Sequence, residues 1–107
     1  MIEVSEKDWK LFRKQLPGWQ ESYIEKLNQE YIEILNSPEV SSEKFWKLEK
    51  RIKNDKRKIG VVCDMRRSKM IENIVSLLAE KVITTDDLSA FSDDLKSMVK
   101  MIFEFYT

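Results

Sequence analysis

Apolar residues recur every three or four positions over most of the 107 residues, the spacing that places them on one face of an α-helix. Ser5, a typical N-cap residue, precedes the first such stretch, whose apolar residues are Trp9, Phe12 and Leu16. The pair Pro17–Gly18 follows, and both residue types destabilise a helix interior. The pattern therefore predicts a short N-terminal helix that ends at this pair.

A second predicted helix covers residues 19–35, and the loop around Pro38 separates it from a third. Ser41 is placed to cap the third helix, and Val40 and Phe45 occupy the two positions of a hydrophobic staple around that cap. The sequence thus predicts two helices separated by a clear loop.

The third predicted helix carries its apolar residues on one side, with Trp46 beside them: Phe45, Leu48 and Ile52. This side is expected to belong to the core. The helix should bend or end near Ile59–Gly60, because Gly costs roughly 1 kcal/mol against Ala in a helix interior and two β-branched residues follow it.

Two further helices complete the pattern. Asp64 is a candidate cap for the fourth, while Thr84 and Asp87 form a capping-box pair before the last. Ser92 is either an internal polar step of the last helix or a second helix start. The apolar stripes of the two helices consist of Ile71, Ile74, Val75, Leu78 and Val82, and of Leu88, Phe91, Leu95, Met98 and Ile102.

These elements predict an all-α fold, a compact bundle of four main helices plus a short N-terminal helix, in a single domain covering residues 1–107. Composition agrees, because 42% of the residues are apolar and only two Gly and two Pro are available for the turns of a sheet. The segment 98–106 is apolar on more than one face. It either lies deep in the bundle or forms a surface for a homodimer or another partner.

Several classes of chemistry lack the residues they need. The chain has no histidine and a single cysteine, Cys63, so a His-dependent triad, a two-thiol metal site and an internal disulfide are excluded. Gly18 and Gly60 stand alone and form no phosphate loop. The acidic pairs 86–87 and 93–94 are typical of first helical turns. We therefore expect no enzymatic activity, no cofactor and no metal.

The sequence also predicts the cellular location of the protein. The start "MIEVSEKDWK" lacks a signal-peptide pattern, and the longest apolar run is two or three residues. Together with the lone cysteine, this indicates a cytoplasmic protein that does not cross a membrane.

Charge is distributed unevenly along a chain whose net charge is zero. Residues 1–49 carry seven basic and ten acidic side chains, residues 50–69 carry nine and two, and residues 70–107 carry three and seven. The nine cations of the central segment are the candidate partner-binding residues: Lys50, Arg51, Lys53, Lys56, Arg57, Lys58, Arg66, Arg67 and Lys69.

The central segment has two interpretations. Its cations are either the solvated face of a helix, or they converge on one electropositive patch that binds an acidic protein surface or a phosphate backbone. We predict a non-enzymatic interaction module, a protein-binding inhibitor or adaptor that acts by occupying its partner. A nucleic-acid-binding regulator with a helix-turn-helix-like basic region is the alternative.

Four segments carry a resemblance: "DWKLFRKQLPGWQESYIEKLNQEYIEIL", "KFWKLEKRIKNDKRKIGV", "RSKMIENIVSLL" and "VITTDDLSAFSDDLKSMV". The chain resembles a family of small cytoplasmic proteins of Gram-positive gut bacteria and their mobile elements, often labelled multidrug transporters. The label conflicts with the absence of any segment able to cross a bilayer. The resemblance implies an uncharacterised helical family without a catalytic motif. An antagonist of a host defence nuclease, carried by a phage or plasmid, is one inhibitor that fits it.

Overall fold

A computed structural model describes residues 3–106, and within them it contains helices and no β-strand. The four α-helices are α1 (Glu6–Leu35), α2 (Ser41–Asp55), α3 (Met70–Ala79) and α4 (Asp93–Tyr106). Two 3₁₀ helices, Arg67–Lys69 and Thr85–Leu88, precede α3 and α4. The predicted all-helical class is confirmed.

The prediction of a short N-terminal helix is wrong, because α1 continues through Pro17 for 30 residues. Pro17 and Gly18 are both exposed, so the carbonyl that proline leaves without a donor can be hydrated. The buried Leu16 and the half-buried Trp19 flank the pair, and both pack in the core cluster. Core packing on both sides thus outweighs the low helix propensity of two residues.

The core lies at one end of the molecule, which we call the head. The head consists of the first half of α1, α3, α4 and the 3₁₀ helices. Its buried apolar side chains are Phe12, Leu16, Met70, Ile71, Ile74, Leu77, Ile83, Leu88, Phe91, Leu95 and Val99. The Trp19 ring lies 6.2 Å from Phe12 and 6.4 Å from Phe91, which anchors the middle of α1 in this core.

The second half of α1 leaves the head and pairs with α2 in an antiparallel hairpin, which we call the arm (residues 18–58). The molecule measures 52 × 27 × 23 Å and its radius of gyration is 16.6 Å. A compact chain of this length would have a radius of about 13 Å. The predicted compact bundle of four main helices is therefore not confirmed: the core lies in the head, and the arm extends beyond it.

The predicted start of α2 is wrong in detail. Val40 is the N-cap residue, Ser41 is already helical, and no side chain caps this end. Val40 and Phe45 do not form a staple, since each is 62% exposed. The apolar side of α2 is mostly uncovered, because the arm has no third helix to pack on it.

Helix starts in the head agree better with the sequence. The Ser5 hydroxyl accepts from Asp8 N at 3.1 Å, and Thr84 and Asp87 form the predicted capping box. Ser92 is a second start, because its hydroxyl accepts from Leu95 N at 3.2 Å. Asp64 does not cap α3: its carboxylate accepts from Arg66 N instead, and the 3₁₀ helix intervenes.

The burial of α4 partly decides whether the C-terminal segment lies in the core or forms a surface for a partner. Val99 is buried, Met98, Ile102 and Phe103 are half-buried, and Met101 is 61% exposed. The Tyr106 side chain lies outside the described residues. One face of α4 therefore belongs to the core, and a homodimer contact through its other face stays a prediction.

The helix does not continue through Gly60, as predicted, but α2 ends at Asp55, earlier than the predicted position near Ile59–Gly60. Gly60 is buried, and a Cβ atom on it would overlap the Tyr23 ring. The glycine is therefore required by the close approach of the loop to α1, and the backbone there has no positive φ.

We expect Gly60→Ala to lower the free energy of unfolding by about 1 kcal/mol, because the Tyr23 ring must move to admit the methyl group. Urea denaturation measures this loss. Gly18→Ala is the matched control, since nothing lies within 4 Å of its Cβ position. That change should stabilise the exposed helix interior by up to about 1 kcal/mol. Equal effects of the two changes would contradict the packing role of Gly60.

Candidate interaction surface

Five of the nine candidate cations form ion pairs within the chain. Arg51 Nη2 lies 2.8 Å from Glu30 Oε1, Lys58 pairs with Asp55, and Arg66 pairs with Asp64. Arg67 pairs with Glu6 and also donates to the Val4 carbonyl at 2.6 Å, and Lys69 pairs with Glu72. These residues hold neighbouring segments together, so their charge is partly neutralised.

The nine cations do not converge on one patch. Arg51 contacts Glu30 in the arm, whereas Arg67 contacts Glu6 at the start of α1. Glu6 and Glu30 are 24 residues apart on one helix, which corresponds to about 36 Å at 1.5 Å per residue. The segment therefore supplies two separate basic regions, one on the arm and one on the head.

Four cations on the arm are exposed and make no ion pair within residues 3–106: Lys50, Lys53, Lys56 and Arg57. Trp46, Lys50 and Lys53 are spaced i, i+4 and i+7, which places them on one stripe of α2. Arg57 continues this stripe in the turn that follows the helix. We call this stripe, which consists of Trp46, Lys50, Lys53 and Arg57, the ridge.

Trp46 is the unexpected member of the ridge. Its side chain is 63% exposed, and its ring packs edge-on against Phe45 with the centroids 4.9 Å apart. The prediction that Trp46 belongs to the core is wrong. Trp46 lies beside the apolar side of α2, and no element of the described chain covers its ring.

The ridge lies on the side of α2 away from α1, and a buried network holds the two helices together on the other side. Asp55 is 1% exposed at the end of α2. Its Oδ2 accepts from the Tyr31 hydroxyl at 2.8 Å and from Arg51 Nε at 3.3 Å. Its Oδ1 accepts no hydrogen bond within the described chain and lies 3.5 Å from Lys58 Nζ.

The network changes the pKa of both Asp55 and Tyr31. Burial alone would raise the pKa of Asp55, but the hydrogen bond from Tyr31 and the charges of Arg51 and Lys58 more than compensate, and the pKa is lowered. Burial and the hydrogen bond to Asp55 raise the pKa of Tyr31 to about 12. Asp55 is therefore ionised and Tyr31 neutral at physiological pH, and the arm keeps its geometry.

Cys63 and the acidic side chains are the candidates for a reactive or metal-binding group. Burial raises the pKa of the half-buried Cys63 thiol, which makes it a weaker nucleophile at neutral pH. Within residues 3–106, no three acidic or thiol side chains are grouped to hold a metal ion. Each helix in that range is also too short or too polar to span a bilayer.

The cations can be recognised in the sequence, but the exposure of the apolar side chains beside them cannot. Phe45 and Ile52 recur at helical spacing with Trp46 beside them, which is the pattern of a buried stripe. Their exposure follows from the continuity of α1 through Pro17, because this continuity carries the arm out of the head. In the sequence, the low helix propensity of Pro17 and Gly18 is the one signal that bears on whether α1 continues.

No protein family, curated protein or solved structure matches this chain. The interpretation of the arm therefore depends on its own geometry and charge.

Proposed function

We propose that this protein is a non-enzymatic interaction module, an inhibitor or adaptor that docks on an acidic protein surface through the ridge. The observation that supports this most is an exposed tryptophan beside three cations that make no ion pair within residues 3–106. Trp and Arg are the residues that most often dominate the binding energy of protein interfaces. The rigid arm can act by occupying a groove on its partner.

The cations and the tryptophan have different parts in this binding. Lys50, Lys53 and Arg57 raise the association rate by attracting acidic groups over distances of about the Debye length. Trp46 supplies the apolar contact that is desolvated on docking and slows dissociation. An acidic surface with an apolar pocket at its centre is the complementary partner.

A nucleic-acid-binding regulator fits the geometry less well. In the predicted helix-turn-helix, α3 would be the recognition helix, yet five of its ten residues are buried. Glu72 in α3 and Glu80 at its C-cap are exposed and would repel a phosphate backbone. The arm cations remain able to contact phosphate, so duplex DNA is included in the test below.

The triple change Lys50→Glu, Lys53→Glu and Arg57→Glu should weaken partner binding by at least about a hundredfold, because it replaces attraction by repulsion. Its effect on unfolding should be small, because each side chain is exposed. The matched control is Lys7→Glu, Lys10→Glu and Lys14→Glu on the exposed side of α1, which changes the net charge equally. The control should retain binding.

A photoreactive amino acid at position 46 identifies the partner in cells, and the same group at Lys10 is its control. We expect a protein adduct from position 46 alone, which the ridge triple change abolishes. Binding to random duplex DNA that weakens steeply with salt and is lost in the same triple variant would instead establish the nucleic-acid alternative. If position 46 gives no adduct of either kind, the ridge is only a solvated face.

A further inference from the structure

The arm exposes large apolar side chains on both of its helices. Phe45 and Ile52 on α2 are 62% and 43% exposed, and Ile32 and Leu35 on α1 are 48% and 47% exposed. A two-helix hairpin has a single helix–helix contact, which here contains the buried Leu27. Apolar surface of this extent on one element marks an interaction site.

These side chains lie on the same broad side of the arm. The Arg51–Glu30 ion pair marks one side of the hairpin. At about 100° per residue, Phe45 is about 120° around α2 from Arg51, and Leu35 is about 140° around α1 from Glu30. Because the helices are antiparallel, both rotations lead to the side of the hairpin opposite the Arg51–Glu30 ion pair. We call that side the apolar face.

The apolar face has edges of opposite charge. Along α2 it is bordered by Lys53, Lys56 and Glu49, which line a shallow groove with Phe45, Leu48 and Ile52. Along α1, helical spacing from Ile32 places Glu21 and Glu25 at the other border. The α2 edge therefore carries a net positive charge, and the α1 edge is acidic.

We infer that the apolar face binds the same face of a second copy of this chain, so that two arms form an antiparallel four-helix bundle. A two-fold axis parallel to the arm places α1 of each copy on α2 of the other. The acidic edge of one copy then meets the basic edge of its partner. The other two-fold arrangement, α2 on α2, would oppose two edges that each carry a net positive charge.

A second copy fits this face better than an unrelated protein, because the face carries both members of each charge pair. An interface with a two-fold axis requires such self-complementarity. The inference does not rest on the proposed function. The ridge points away from α1, at the outer border of the apolar face, and Trp46 and Lys50 can stay accessible when the arms are paired.

The mass in solution tests the pairing. Light scattering and sedimentation equilibrium should give twice the monomer mass for the wild type at micromolar concentrations. Ile52→Glu should weaken the dimer at least about a hundredfold, because two carboxylates would be buried at the interface. Its circular dichroism should not change, because Ile52 is exposed in the single chain. A monomeric wild type would overturn the inference.

Met101→Glu on α4 is the control for the position of the interface. Met101 is 61% exposed, so this change adds a carboxylate to an apolar site on the head. We expect it to leave the dimer intact. A dimer that survives Ile52→Glu but is lost with Met101→Glu would overturn the inference and assign the contact to the C-terminal helix.

Charge reversal tests the arrangement of the arms. Lys56→Glu and Glu25→Lys should each weaken the homodimer by roughly tenfold, because the two-fold axis repeats each contact. An equimolar mixture of the two variants should form a heterodimer tighter than either homodimer, as native mass spectrometry can show. If the mixture shows no preference for the heterodimer, the charge-matched arrangement is excluded.

Discussion

Phe12→Ala is expected to lower the free energy of unfolding by about 4 kcal/mol, the largest loss from any single side chain considered in the head. Phe12 is 0% exposed and packs between two indole rings, with centroid distances of 6.1 Å to Trp9 and 6.2 Å to Trp19. Truncation would leave a cavity that two rigid rings on the same helix cannot fill. Urea denaturation monitored by circular dichroism measures the loss.

Trp46→Ala is the matched control, because it also removes an aromatic ring from a helix. Trp46 is 63% exposed, so the change should alter the unfolding free energy by less than about 0.5 kcal/mol. A loss near that of Phe12→Ala would show that the Trp46 ring is covered in solution and would contradict its place in the ridge.

Local signals in the sequence predict local structure in the head well. Ser5 and the Thr84–Asp87 pair act as caps because capping depends on residues within three positions of one another. Pro17 misleads because its penalty is local, while the packing of Leu16 and Trp19 that offsets it is not. No pattern within a few residues contains that information.

The candidate site could be predicted only in part for the same reason. Lys50, Lys53 and Arg57 are exposed as a basic helical run suggests. Arg51 and Arg67 instead pair with residues 21 and 61 positions earlier in the chain. Partners at such separations depend on the tertiary fold, so charge counting overestimates the free basic surface. It also cannot show that the apolar side of α2 lacks a cover.

Asp55 illustrates the point most clearly. In the sequence it is one of two acidic residues in a basic run, where a solvated partner for neighbouring lysines is the simplest interpretation. In the structure it is buried at the end of α2 and joined to Tyr31 of α1. An acidic residue at a helix C-terminus is unfavourable for the helix dipole, so tertiary contacts must stabilise it there.

We expect Asp55→Ala to lower the free energy of unfolding by about 3 kcal/mol at neutral pH, because it removes the buried acceptor of Tyr31 and Arg51. The pKa of Asp55 is lowered in the folded protein, so its ionised form stabilises the fold above the pKa of the unfolded chain. That contribution is lost as the pH falls through the lowered value. The difference between wild type and variant should therefore be constant near neutrality and shrink below about pH 4.

Glu49→Ala, which removes an exposed carboxylate from the same helix, is the control for this pH dependence and should show no comparable change. Chemical denaturation of the three proteins across the acidic range makes the comparison. If the deficit of Asp55→Ala stays constant down to the most acidic conditions in which the wild type folds, the ionised carboxylate is not what joins the helices. The arm would then depend on its apolar contacts and on the Arg51–Glu30 ion pair. A deficit that shrinks in parallel with protonation would instead show that a charged residue stabilises the arm that carries both the ridge and the apolar face.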